Sequence, residues 1–212
     1  MLRPVAPSDV RVPSQERAIR TRASLVDAAQ REFSKRGYAA ATAKSIAEEA
    51  GVATGSFYQY FKDKDQILHE LARDRLARVT TEVQRHVSFD GLEGRRSKAE
   101  LERALRDRMR ALVEVVVAYH REDPGLHAVL TERRHADETL DRMTSQGEEA
   151  LVRYVSLMLQ KLGREDDVEA LAFVLFGMVE GTVHAHVLGR PLVDDDRLAS
   201  ALVDALVHAA VA

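Results

Sequence analysis

The stretch from Thr42 to Lys64, T-A-K-S-I-A-E-E-A-G-V-A-T-G-S-F-Y-Q-Y-F-K-D-K, constrains this chain more than any other. It spells a short helix, a glycine turn and a second short helix. Thr42 offers an N-cap hydroxyl with Glu48 and Glu49 downstream, Ile46, Ala47 and Ala50 form an apolar stripe, and Gly51 stands at the C-terminal cap, where positive φ is favoured. Ala47 lies where two helices cross closely, and Val52, Phe57 and Tyr60 pin the second helix. The pattern predicts a helix-turn-helix, a module whose second helix enters the major groove of DNA.

Charge supports this once it is divided along the chain. The 212 residues carry a net charge of -3, yet residues 1–64 hold 11 Lys or Arg against 7 Asp or Glu, a net of +4, leaving -7 beyond. A basic head on an acidic body suits directed phosphate binding. Hydrophobic residues at 45% with only 5 Pro describe a folded helical chain. The absence of Cys excludes disulfide scaffolds, thiolate zinc sites and cysteine nucleophiles. The longest unbroken apolar run, Ala170 to Val179, is too short to span a bilayer, and no charged-then-apolar leader opens the sequence, so a cytoplasmic protein with no membrane partner is expected.

Periodicity is helical throughout and no strand pattern appears. Residues 1–14, with Pro4, Pro7 and Pro13, read as a flexible extension whose Arg3 and Arg11 lie within reach of DNA only if the arm orders. A first helix runs from Gln15 to Arg36 on Leu25, Val26, Ala29 and Phe33, closed by Gly37, and presents Arg17, Arg20 and Arg22 to phosphates or to solvent. After Lys64 a long helix carries Leu68, Ala72, Leu76, Val79, Val83 and Val87, followed by a break over Phe89 to Ser97. Leu101 to Tyr119 opens another, ended by Asp123, Pro124 and Gly125; a short helix follows around Leu126 to Glu132, then one from Glu138 to Leu162. Glu165 to Leu188 is apolar on nearly all sides, and Asp194, Asp195 and Asp196 start the last helix. The closing pair carries small residues, Gly177, Gly181, Ala201, Ala205 and Ala209, suited to a four-helix bundle with a second copy. We therefore expect an all-α fold: residues 15–64 a three-helix DNA-binding domain, and residues 65–212 a helical ligand-binding and dimerisation domain.

Through A-G-V-A-T-G-S-F-Y-Q-Y-F-K-D-K-D-Q-I-L, Ala50 to Leu68, the chain resembles the tetracycline-repressor (TetR) family of transcriptional regulators. The resemblance implies base contacts at Lys44, Thr54 and Gly55, with Ser56 in the same first turn, and phosphate contacts at Thr42, Tyr58, Tyr60 and Lys64. It also implies a homodimer on a palindromic operator and a small-molecule effector held in the body. One departure matters: Ala53 stands where relatives carry a capping Ser, and Thr54 could take over only by becoming less free for a base. Candidate effector-lining residues are Met109, Val113, Val116, Tyr119, Leu126, Phe173, Phe176 and Met178, each of which also serves as plain core.

Glu180 and His184 sit four apart on one helical face, with His120 and His127 as neighbouring candidates for a metal or an ionisable ligand; a buried or interfacial hydrogen-bonded pair is the favoured reading, and no metal or cofactor is assigned. The sequence has no G-x-x-x-x-G-K-[ST], H-E-x-x-H or G-x-S-x-G, so no enzyme is expected. An architectural DNA-binding protein, or an enzyme with an appended reader, are the alternatives to an effector-released repressor.

Overall fold

The computed structural model describes residues 14–86, 97–164 and 167–211, and every regular element among them is an α-helix. The expected extension before Ser14, the break expected over 89–96 and the expected helix start at Glu165 lie outside the described residues. The chain divides into two compact units, the first ending at Leu68 and the second beginning at His69.

In the first unit, α1 (Ser14–Ala40) is interrupted at Gly37, whose φ of 73° breaks the helix where the sequence placed its cap. The short α2 (Ala43–Glu49) and α3 (Thr54–Tyr60) follow, joined through Gly51 at φ 71°. Leu25, Ala28, Ala29 and Phe33 of α1 are buried, as are Ile46, Ala47, Phe57 and Phe61. These supply the apolar area that holds the two short helices against α1. The helix α4 (Lys64–His86) begins here and continues past the unit boundary.

The second unit contains α5 (Lys98–Glu122), α6 (Pro124–Arg134), α7 (Glu138–Lys161), α8 (Val168–Leu188) and α9 (Asp195–Val211). Asp123 both ends α5 and caps α6, accepting from the Leu126 amide at 2.9 Å, with Pro124 in the first turn where a missing N–H costs nothing. Its core joins Leu105, Met109 and Val113 of α5 to Leu175 and Val179 of α8 and to Leu202, Val203 and Leu206 of α9. Asp195 starts α9 by accepting two bonds from Arg121, at 2.7 and 2.8 Å, and lies 2.8 Å from His186 Nε2. Those partners hold the Asp195 carboxyl far below the usual range.

The apolar run Ala170 to Val179 in α8 is by itself too short for a membrane. By length and composition this helix does qualify, with a mean hydropathy of 1.5 over its best window. Here it packs against α5 and α7 and carries Glu180, His184 and His186.

Candidate functional site

Successive residues of a helix are turned by about 100°, which places Gly55, Tyr58 and Gln59 on one exposed arc of α3 while Phe57 faces the core. Tyr58 is 61% exposed, with its ring edge-on to Phe57 at 5.4 Å. Thr54 and Ser56 flank the arc half-buried. Tyr60 is also half-buried and lies roughly 140° around the helix from Gly55, so it stands off the arc expected to hold it. Gln59 was not anticipated, although its spacing of four from Gly55 marks it; an exposed amide there matches the donor and acceptor pattern of adenine.

Thr42 caps α2 as expected, but its reciprocal partner is Ser45 rather than a glutamate. Thr42 Oγ1 accepts from the Ser45 amide and Ser45 Oγ from the Thr42 amide, each at 3.0 Å. Lys44 is exposed beside this cap, in a loose pair with Glu48 at 3.8 Å. Ala53 makes no side-chain cap to α3, and the Ser56 amide instead donates to the Ala53 carbonyl at 2.8 Å. The helix starts at Thr54 all the same, so the Thr54 hydroxyl is not drawn into capping.

Lys64, expected at a phosphate, is engaged within its own unit. Its ammonium donates to the carbonyls of Tyr38 at 2.7 Å and Ala41 at 3.0 Å, and lies 4.0 Å from the Tyr38 ring centroid. The Tyr38 hydroxyl in turn donates to Asp65. These contacts tie the start of α4 to the segment ahead of α2. Arg22 lies 5.1 Å from the Phe61 ring centroid, and Arg31 reaches Glu49 at 2.6 Å, holding that carboxyl below its ordinary value.

Within the second unit, α4 to α8 enclose a cavity of about 350 Å³. Of the candidate lining residues, Val116, Tyr119 and Phe176 reach it. Met109 and Val113 do not, being buried in the core that includes α9; Leu126 is buried away from the lining, and Met178 packs against the core. Phe173 is 67% exposed. Walls the sequence did not single out come from α4 (Leu76, Val79) and α7 (Thr144, Leu151, Tyr154). Arg134 also lines it, forking onto Glu148 at 2.6 and 2.8 Å with Asp141 at 3.0 Å.

His120 and His127 are expected near Glu180 and His184, with a hydrogen-bonded pair favoured over a metal. The structure brings the three histidines together, with one ligand-capable atom of each within 4.8 Å of the others. His120 is fully buried, its Nδ1 2.9 Å from the Val116 carbonyl and its Nε2 3.2 Å from Glu180 Oε1. His127 Nε2 lies 3.3 Å from His184 Nδ1. Burial, then the neighbouring His120 and Arg75, push His127 down to about 4. Burial also works against charging His120, but the Glu180 carboxylate and the Val116 carbonyl outweigh it and raise that group.

Two families match the chain, one towards each end. Residues 25–71 match the family described as bacterial regulatory proteins, tetR family, and residues 104–209 match the tetracyclin repressor-like C-terminal domain. The transcriptional regulator TtgR of Pseudomonas putida is 42% identical over 74 residues, which is 32% of this chain and 35% of TtgR, so the match spans about a third of that relative's length. The regulator YdgC of Bacillus subtilis is 27% identical over 92% of this chain and 94% of its own. A solved regulator of Mesorhizobium loti superposes with a TM-score of 0.72 at 21% identity, covering 92% of this chain and 96% of that one, a likeness of fold.

Proposed function

We propose that this chain, which belongs to the tetR family of bacterial regulatory proteins, is a DNA-binding transcriptional regulator that represses transcription as a homodimer on a palindromic operator until a small molecule enters its second unit. The exposed arc of Gly55, Tyr58 and Gln59 on α3 carries the reading. In it, residues 15–64 read DNA and residues 65–212 sense and dimerise. Lys44, Thr54, Gly55, Ser56 and Gln59 meet bases, while Thr42 and Tyr58 position the head on phosphates. A chain with this task works beside the chromosome, in the cytoplasm.

One reader helix spans too few base pairs for useful specificity, which argues for two copies. Support for the seam comes from α8 and α9. Gly177, Gly181 and Ala185 form an exposed small-residue face beside exposed Phe173, and Ala201 and Ala205 are exposed on α9. A Cβ built at Gly177 or Gly181 meets nothing within 4 Å in the same chain, so that space is open to a partner.

The cavity supports a mostly apolar effector with a hydrogen-bonding group, given Leu76, Val79, Leu112 and Phe176 beside Tyr119 and Thr144. Release then follows by linkage, since an effector that binds the DNA-incompetent arrangement more tightly must weaken DNA binding by the same factor. Mobility shifts with the chain's own promoter and with random DNA, at a stated salt concentration, test the reading. A strong preference for the promoter that a compound from a small-molecule panel abolishes is expected. A specificity ratio near one would favour an architectural protein instead.

A further inference from the structure

We infer that His120, His127, His184 and Glu180 form a binding site for one divalent transition-metal ion of the zinc, cobalt or nickel kind. The inference rests on these four side chains and not on DNA reading, so either can fail alone.

The argument starts from His120. Its Nδ1, 2.9 Å from the Val116 carbonyl oxygen, must carry a hydrogen to donate there. The other nitrogen, Nε2, then presents a lone pair in the neutral ring. That atom is fully buried, makes no aligned hydrogen bond, and lies 3.2 Å from a carboxylate oxygen of Glu180. A lone pair facing an anion is repulsive unless a cation stands between or beside them, either a proton or a metal ion. A backbone carbonyl on the far nitrogen is the arrangement that fixes the tautomer and ring direction of a metal-binding histidine.

His127 and His184 complete the set. Their facing nitrogens are 3.3 Å apart, and their rings lie 4.7 and 5.8 Å, centroid to centroid, from that of His120. Nitrogen ligands at about 2.0–2.1 Å from a tetrahedral ion are about 3.4 Å from one another, so a set already within 4.8 Å closes with small ring movements. Three imidazoles and one carboxylate suit zinc-like ions and not magnesium or calcium, which take oxygen ligands.

The charges facing the group are consistent with one added ion. Glu180 supplies the anion, Tyr119 is a neutral phenol kept so by burial, and the buried Arg75 is answered by Glu122 at 3.7 Å. Because His127, Glu180 and His184 also line the cavity, a bound ion would place a Lewis-acidic point in its wall.

The untagged full chain, stripped with a chelator and titrated with Co²⁺, tests the site. One equivalent per chain is expected, with the visible absorption of a four-coordinate nitrogen and oxygen site that Zn²⁺ bleaches. Affinity should fall about tenfold or more in His184→Ala and in His127→Ala, and stay unchanged in His135→Ala, a histidine exposed outside the cluster. Glu180→Gln, which preserves size and packing, should also weaken binding, and circular dichroism identifies any variant that has lost its helices. Absence of saturable Co²⁺ absorption in the wild-type chain would overturn the site. So would an unchanged affinity in folded His184→Ala.

Discussion

Lys64 holds Tyr38 twice, donating to its carbonyl oxygen at 2.7 Å and resting 4.0 Å from the centroid of its ring. The contact crosses 26 positions of sequence and fixes the segment that follows the Gly37 break.

Removing it should therefore act on stability rather than on phosphate contact. Lys64→Met is expected to lower the unfolding free energy by about 1.5–3 kcal/mol, the range for bonds involving a charged group, and to leave the salt slope of DNA binding unchanged. Chemical denaturation and binding at several salt concentrations check both. A flattened slope with unchanged stability would return Lys64 to the phosphate backbone.

Exposed residues of the reader should behave differently from one another. Tyr58→Phe is expected to weaken every DNA sequence alike, by about 1 kcal/mol. Lys44→Ala and Gln59→Ala should instead relax preference at single base pairs by about 1–3 kcal/mol. Competition binding against operator variants separates the two patterns.

Gly181→Leu tests the seam between copies. Nothing in its own chain lies within 4 Å of the added Cβ, and leucine is the better helix former by about 0.8–1 kcal/mol. The single chain should fold at least as well as the wild type, run as a monomer in light scattering, and lose operator affinity. A Gly181→Leu dimer of unchanged affinity places the interface elsewhere.

The head was legible because its boundaries are written in backbone chemistry: Thr42 caps, Gly37 and Gly51 take positive φ, and Ile46 and Phe57 mark the inward faces. α8 was not, because a helix apolar on all sides has no stripe from which to read a direction. Phe173 faces solvent while Phe176, three residues on, lines the cavity. The histidine group was legible only in outline: Glu180 and His184 share a helical face in the sequence, but His127 and His184 are 57 positions apart and only the fold brings them within 3.3 Å.

His127 should leave a mark on acid stability. Its folded value, about 4, lies below the ordinary 6.5, so the unfolded chain takes up a proton that the folded ring refuses. On this account stability is lost as pH falls from about 6.5 towards 4 and is level below that. The raised His120 works the other way, adding stability at low pH that disappears as pH rises through its folded value. His127→Gln is expected to show a shallower fall in Tm between pH 6.5 and 4 than the wild type. Parallel curves would refute the assignment.

Gly147 tests the cavity wall. A Cβ there would stand 2.5 Å from Leu76 Cδ2 and 3.0 Å from its Cγ, so the whole isobutyl group must turn. Gly147→Ala should cost about 1–3 kcal/mol of crowding, partly offset by about 1 kcal/mol of helix preference. It should also weaken binding of an apolar fluorescent probe as Leu76 swings inward. An unaltered probe affinity would indicate that Leu76 finds room elsewhere.

The last helix is moored at both ends: Arg121 and His186 grip Asp195 at its start, and Arg164 donates to the Ala209 carbonyl at 3.2 Å near its finish. None of its residues borders the cavity. Its moorings at Asp195 stand on α5 and α8, two of the helices that do line the cavity, so a shift in those walls is passed to α9 through Arg121 and His186. On the proposed reading, a message sent by a guest in the cavity would reach the joint between copies along α8 itself, which borders both.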